Sequence, residues 1–331
     1  MKIKDSQTKI IFHNLKCNTI AFKIGTTIFA GMKADFDVII IGGSYAGLSA
    51  AMALGRALRN VLIIDSGKPC NRRTPHAHNL ITHDGNKPAT IAKHALQQVL
   101  KYPTVRLRKG IAAKAFKQSD LFKIETEQGE IFTSRKVLFA TGIVDTMPTI
   151  PGFAECWGIS VLHCPYCHGY EVRNEPTAIF ANGEVAFEFA KIISNWTKEL
   201  TLLTNGPSQL TPQQTADLSR NNIRINERPL KEVVHEGAYI SKVAFNDGTN
   251  LAINAMYAKL AFEQHSNLPQ TLGCELTEAG FIKIDEMQST SVNGVFAAGD
   301  NTTMFRSLSI AIAAGNKAGA LINHQLIQED F

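Results

Sequence analysis

The sequence predicts an α/β fold made of two Rossmann-like, three-layer units, and three observations carry that expectation. Residues 35–41 (DFDVIII) form a β-branched run that enters a glycine turn and an Ala-rich helical stretch, the pattern of a buried parallel strand feeding its crossover helix. A second strand–turn–helix pattern spans residues 177–193, with a further apolar run at 200–203. The chain has 331 residues, 44% of them hydrophobic and 19% charged, which is enough for two domains that each bury a core.

Residues 1–33 read as an N-terminal extension. They hold six lysines against Asp5 alone, so they carry the whole net charge of +5 and the rest of the chain is neutral. A neutral body implies no nucleic-acid partner. The apolar stretch at 17–32 is broken by Lys23 and is shorter than the roughly 20 apolar residues of a membrane span, so no membrane association is expected. The stretch lacks arginine and a clear cleavage site, which argues against transit and secretory signals. Met32 stands just before the first strand, which suits an over-called start; a targeting or regulatory extension and an integral structural element are the other readings. The 24 Gly, 12 Pro and 6 Cys are ordinary for this length and exclude collagen-like, disordered and disulfide-stapled classes. Without a secretion signal, the cytoplasm is the expected compartment.

The first unit continues through Gly42-Gly43-Ser44-Tyr45-Ala46-Gly47, a helical pattern at 48–58, and an apolar run at 61–64 that ends on Asp65. Strand, glycine turn, helix, strand and terminal acid compose a βαβ unit suited to a dinucleotide. The turn lets backbone N–H groups approach a pyrophosphate at the helix N-terminus. Asp65 lies 18 residues past Gly47, near the spacing at which a carboxylate reaches ribose hydroxyls. Ser44 replaces the middle glycine of G-x-G-x-x-G. A glycine turn in any parallel α/β fold is the plainer reading.

Two further segments narrow the ligand. A strand at 137–139 ends at Ala140-Thr141-Gly142, and GVFAAGD at 294–300 ends on Asp300. With Gly42, Ser44, Ala46 and Gly47, these resemble the three FAD-contacting segments of flavoproteins that have two dinucleotide-binding domains. The resemblance implies FAD, with Asp300 on its ribityl chain. It also implies that Arg306-Ser307-Leu308 opens a helix whose N-terminus faces the flavin, where the dipole favours the anionic reduced ring.

Cys164-Pro165-Tyr166-Cys167 has the spacing of a redox dithiol or of half a zinc site. Its place, between the ATG strand and the second unit, resembles the low-molecular-weight thioredoxin reductase family from Asp35 to the C-terminus. That resemblance implies a second domain (151–261) inserted into an FAD domain (34–150 and 262–331), and a homodimer. It also implies that Cys167 faces the flavin and that Cys164 attacks the substrate. His168 stands where the family usually has Asp; an imidazole there serves acid–base chemistry near neutral pH, against the plainer reading of a satisfied surface histidine. The CPYCH pattern is also similar to a branch resembling dithiol oxidases of small epidithio-type metabolites. Zinc would need four ligands, and His163 and His168 are too crowded against the pair. Cys17, Cys70, Cys156 and Cys274 read as inert core or loop residues. The stretch CNRRTPHAHNLITHDG gathers Arg72, Arg73, His76, His78 and His83. The resemblance packs it around the flavin with Asn71 and Asn79 as cofactor contacts, and no metal is expected there because no carboxylate array accompanies the histidines.

The second unit departs most from the family. Ala181-Asn182-Gly183-Glu184-Val185-Ala186 stands in place of G-x-G-x-x-A, and Thr204-Asn205-Gly206-Pro207 stands where the family has a His-Arg-Arg clamp. Gly183, Glu184 and Val185 are the candidate contacts for NADPH or NADH, in a degraded motif. The favoured activity is FAD-dependent thiol–disulfide exchange, with electrons passing through flavin to Cys164/Cys167. The partner would be a thioredoxin-like protein or a small-molecule disulfide or dithiol. A flavin dithiol oxidase using oxygen, and a non-catalytic flavin redox sensor, are the alternatives.

Overall fold

The computed structural model describes residues 33–331, so the expectations for the extension, Lys33 apart, lie outside the described residues. The first sheet begins with β1 (Phe36–Ile41), followed by α1 (Tyr45–Arg56), β2 (Val61–Asp65), α2 (Pro88–Val99) and β3 (Val105–Lys109). It continues with β4 (Ala112–Gln118), β5 (Leu121–Thr126) and β6 (Ile131–Phe139). The order is β3-β2-β1-β6-β5-β4. β1 runs parallel to both neighbours, with Ile40 opposite Ile63 and Leu138. Both faces of β1 are covered, which is why its sequence is continuously apolar rather than alternating. β4 and β5 form an antiparallel hairpin on β6, which no sequence pattern had singled out.

The chain then leaves this sheet through β7 (Ile143–Asp145), α3 (Phe153–Cys156), β8 (Val161–Leu162) and α4 (Pro165–His168). The second unit follows as β9 (Thr177–Phe180), α5 (Gly183–Ile193), β10 (Leu200–Leu203), α6 (Pro212–Arg220) and β11 (Arg224–Asn226). An antiparallel layer of β12 (Leu230–Glu236), β13 (Tyr239–Phe245) and β14 (Asn250–Ala252) precedes β15 (Ala255–Ala258). The second sheet, β11-β10-β9-β15-β8, is parallel throughout. The chain returns through β16 (Phe262–Gln264), α7 (Leu268–Thr271) and β17 (Val295–Ala297), and ends in α8 (Leu308–Asp330). β17 re-enters the first sheet parallel to β6, and β16 pairs antiparallel with β7, so the outgoing and incoming crossings lie side by side. The fold is therefore α/β with two Rossmann-like sheets, the second formed within an excursion from the first.

α1 and α8 approach so closely that only small residues fit between them. A Cβ on Gly315 would lie 2.0 Å from the Ala46 carbonyl oxygen, and one on Gly319 would lie 2.6 Å from that of Ala50. Ser49 Oγ donates to the Ile312 carbonyl at 2.7 Å across the same seam. This contact fixes α1, whose N-terminus follows the glycine turn. Gly315→Ala must push the helices apart, and overpacking of this kind costs about 1–3 kcal/mol. Heat unfolding should report that loss, whereas Asn316→Ala on the exposed face of α8 should stay within about 0.5 kcal/mol of the parent.

Candidate active site

The glycine turn is built by contact. Gly42 has φ +106°, and a Cβ there would meet the Ala140 carbonyl oxygen at 2.2 Å; one on Gly47 would meet the Gly42 carbonyl oxygen at 1.9 Å. The ends of β1 and β6 and the start of α1 thus touch backbone to backbone. Ser44 caps α1 without a side-chain bond, which leaves the first-turn N–H groups to an outside acceptor. Ala46 is buried and stands 3.1 Å from where a Gly299 Cβ would be, so the third segment closes on the first. Thr141 Oγ1 and Asn301 Oδ1 are buried with no partner among the described residues. Beside them, Gly142 faces open space. A cradle that a Cβ would fill, free helix N–H groups and orphaned polar atoms fit a dinucleotide such as FAD.

The other expected cofactor contacts stand as follows. Asp65 does not present a free carboxylate: Gly43 N–H donates to its Oδ1 at 2.9 Å and Gly67 N–H to its Oδ2 at 3.0 Å. Asn71 lies beside Tyr45, whose phenol donates to the Pro88 carbonyl at 3.3 Å and is pushed up by burial against the opposing effect of Asn71. Asn79 adopts φ +59°; its N–H donates to Asp84 and its carbonyl accepts from Ser309 Oγ, which ties this loop to the start of α8. Ser307 caps α8 by accepting from Ile310 N–H, and Leu308 is the first helical residue. Arg306 is gripped by Asp145, a residue that no local pattern singles out. Nη1 and Nη2 donate to its two carboxylate oxygens at 2.7 and 3.0 Å. Arg306 also stands 3.7 Å from Asp300 and 3.4 Å from Cys70 Sγ. Burial pushes the Asp300 carboxyl up, against the pull of Arg306.

The dithiol sits beside this cluster. Cys164 occupies the N-cap of α4 in extended conformation, and Cys167 lies within the helix. Cys164 is held down at about 7, chiefly because the Cys167 thiol donates to it; burial opposes this, while the backbone N–H groups of Cys167 and Tyr166 and the Lys259 charge assist. Cys167 is correspondingly pushed up, by that same bond and by burial, and it feels Asp300 and Arg306. Both neighbouring imidazoles are neutral near pH 7. Burial lowers His163 to about 3, with Arg306 adding to the effect, and lowers His168 to about 4, with His78 adding to it. His78 Nδ1 lies 3.5 Å from Glu171 and 3.7 Å from Asp84, and so bridges the 70–86 loop and the segment after the dithiol. Among the described residues no group of three or more His, Cys, Asp or Glu side chains is arranged to hold a metal. Cys156 and Cys274 are buried; Cys17 lies outside the described residues. Asp145 and Lys259 were missed because nothing in their local sequence marks them.

In the second unit, the helix end expected to receive a phosphate is already occupied. Asn182 Oδ1 accepts from Gly183 N–H at 2.8 Å and from Gln209 N–H at 2.9 Å, while its Nδ2 donates to the Pro207 carbonyl. Gln214 holds the Glu184 carboxylate, and Val185 points to solvent. Thr204 Oγ1 donates to the Gly206 carbonyl, and Asn205 accepts from Leu230 N–H. Of the arginines that follow, Arg220 pairs with Asp217 and Arg228 with Asp247.

Residues 36–316 match the family described as pyridine nucleotide-disulphide oxidoreductase. Thioredoxin reductase tcpT of Claviceps purpurea is 34% identical over 305 residues, which cover 88% of this chain and 95% of tcpT. Thioredoxin reductase sirT of Leptosphaeria maculans is 30% identical over 314 residues, covering 89% and 96%. The crystal structure of TrxB from Bacillus anthracis superposes with a TM-score of 0.86 at 34% identity, covering 89% of this chain and all of that one. Among the described residues no helix is long and apolar enough to cross a membrane.

The two thiols should separate by alkylation. With Cys164 at about 7, its reaction with iodoacetamide should rise through a midpoint near pH 7, because only the thiolate attacks. It should be slow below that pH, where the sulfur is protonated, and flat above pH 8. No second step from His163 or His168 should appear between pH 5 and 8, since both have already lost their protons by about 4. Peptide mapping of the modified cysteine identifies the reacting sulfur.

Proposed function

The chain belongs to the pyridine nucleotide-disulphide oxidoreductase family and is a thioredoxin reductase-like FAD enzyme; from that premise we propose that it performs thiol–disulfide exchange through Cys164 and Cys167. The observation that carries this reading is the asymmetry of the pair: Cys164 is acidified at the N-cap of α4, and Cys167 is the sulfur near Asp300 and Arg306. When bound, FAD supplies a two-electron donor or acceptor for the dithiol. The residues that would hold it are the Gly42–Gly47 turn, Asn71, Asn79, the Ala140–Gly142 segment, Asp300 and the start of α8 at Ser307 and Leu308. Arg306 would act there as a fixed positive charge.

The exchange itself is done by the chain's own sulfurs. The Cys164 thiolate attacks one sulfur of a substrate disulfide, forming a mixed disulfide and expelling a thiolate, which takes up a proton. Cys167 then attacks Cys164 Sγ, breaks the mixed disulfide and releases the second substrate sulfur as a thiol. The Cys167 proton leaves with that thiol, and the pair is now a disulfide. His168 stands beside Cys167 as a neutral imidazole and, having lost its proton by about 4, is only a weak base at pH 7. Run backwards, the same steps oxidise a dithiol. A small-molecule disulfide or dithiol, or a thioredoxin-like protein, suits these steps equally.

A second reading has its own support. Asn182 and Glu184 occupy the end of α5, and no arginine stands at 204–207. Weak nicotinamide binding follows, and it favours electrons entering from substrate thiols, as in a dithiol oxidase that passes them to oxygen. The cytoplasm and a homodimer complete the proposal.

Two outcomes follow. Cys164→Ser and Cys167→Ser should each abolish catalytic turnover of an aryl disulfide dye, Cys167→Ser giving only a stoichiometric burst of coloured thiolate as Cys164 is trapped in the mixed disulfide. Charged hydrogen bonds are worth roughly 1.5–3 kcal/mol each, so without the arginine clamp NADPH and NADH should differ by less than about tenfold in the rate of flavin bleaching under anaerobic stopped flow. Fast bleaching by micromolar NADPH with NADH inert would overturn the weak-binding reading.

A further inference from the structure

The second sheet ends on a single cation. Its five strands are all parallel, in the order β11-β10-β9-β15-β8, so their carboxyl ends share one edge. From β9 the chain steps to β10 and β11 on one side, while β15 and β8 lie on the other. Strand order reverses between β9 and β15, and open α/β sheets bind ligands in the crevice outside the carboxyl ends at such a point. The residues directly after the strands are Glu227, Thr204, Ala181, Lys259 and His163. His163 is too enclosed to hold a proton at pH 7, which leaves Lys259 as the positive charge of the five. The β9 side of the crevice is filled: Asn182 takes the Gly183 N–H, and a Cβ on Gly183 would lie 3.5 Å from Gln209 Oε1. The β8 side leads to the dithiol. Tyr257 and Leu162 are paired across β15 and β8, so Lys259 and Cys164 each stand two residues beyond that pair, on chains that leave the sheet about 4.8 Å apart.

Lys259 is fixed in position and its charge is not neutralised. Its ammonium lies over the Phe189 ring, 5.5 Å from the centroid, and that ring is buried edge-on against Tyr257. Among the described residues the ion-paired lysines are Lys114, Lys136, Lys191 and Lys283, and Lys259 is not one of them. Glu171, which follows the dithiol, is met instead by His78 at 3.5 Å. The Lys259 charge is felt at Cys164 and at His163. We propose that Lys259 is a specificity-determining residue, binding a carboxylate carried by the small-molecule disulfide that Cys164 attacks. The substrate class is then an acidic disulfide or, in the reverse direction, an acidic dithiol. The proposal rests on the reading of Cys164 as the attacking sulfur. The carboxylate takes no part in bond making: Cys164 Sγ still attacks one sulfur and expels the other as a thiolate, and Lys259 only selects which disulfides are held there.

The test uses the FAD-loaded full chain with its dithiol reduced, mixed anaerobically with dithiobis(nitrobenzoate), an anionic dye, or with dithiodipyridine, a neutral one. Each releases a coloured thiol as Cys164 attacks, and the ratio of the two rates at low dye concentration cancels any change in Cys164 ionisation. Lys259→Met keeps the stem over Phe189 and removes the charge. It should lower the anionic-to-neutral ratio about fivefold, the scale of an exposed ion pair, whereas Lys259→Arg should keep it within about twofold of the parent. Lys259→Glu should lower it further. The loss should appear in the dye concentration that gives half the limiting rate, not in the limiting rate. NADP+ added to the parent should leave the ratio unchanged; a fall that Lys259→Met does not show would give the cation to a nucleotide phosphate and overturn the proposal. A ratio that neither Lys259→Met nor Lys259→Glu moves would also overturn it and leave the dithiol reading standing. No coloured thiol from either dye in the parent would remove the dithiol reading and this inference with it.

Discussion

The buried ion pair between Arg306 and Asp145 is the contact on which the site depends. Asp145 ends β7, where the chain leaves the first sheet, and Arg306 stands just before α8, where the chain finishes. Their bidentate bond fastens the outgoing crossing to the final helix. It also fixes one positive charge among Cys70, Asp300, His163 and Cys167. A guanidinium so enclosed requires its carboxylate, and breaking such a pair leaves an uncompensated charge at a cost of about 3–5 kcal/mol. That requirement holds Asp300 and Cys167 within one electrostatic environment, although they come from distant parts of the sequence.

Within this environment the two cysteines become chemically different without a cationic neighbour of the usual kind. The adjacent imidazoles are too deeply enclosed to hold protons at pH 7, so neither forms an ion pair with a thiolate. What lowers Cys164 instead is chiefly the Cys167 thiol beside it, with the start of α4 and the Lys259 charge adding to the effect against burial. α4 has only four residues, so its dipole is small. The preference for a thiolate at Cys164 is local, set by who donates to whom.

Much of this was legible in the sequence, because its information is local. A glycine turn between a strand and a helix, a terminal acid at β2, and a C-x-x-C pair each encode their geometry within a few residues. The second sheet and the parallel part of the first followed from the continuous apolar runs. The antiparallel layer of β12–β14 did not, since its strands mix exposed lysines and glutamates with few buried positions. Asp145 and Lys259 could not be found this way: Asp145 meets Arg306 from 161 residues away, and Lys259 follows β15, which reaches the dithiol segment only through its pairing with β8. Asn182 illustrates an intermediate case. Ala181 and Glu184 flagged a damaged nucleotide motif, but that Asn182 fills the phosphate end of α5 depends on Pro207 and Gln209 folding back onto it.

The central claim is that Cys167 connects the flavin cradle to the exchanging sulfur. Its most direct test is anaerobic addition of a small dithiol to the FAD-loaded, oxidised protein while the visible flavin absorbance is followed. The account predicts that the absorbance bleaches in the parent and persists in Cys167→Ser, whose FAD content is unchanged. Equal bleaching in both proteins would contradict it.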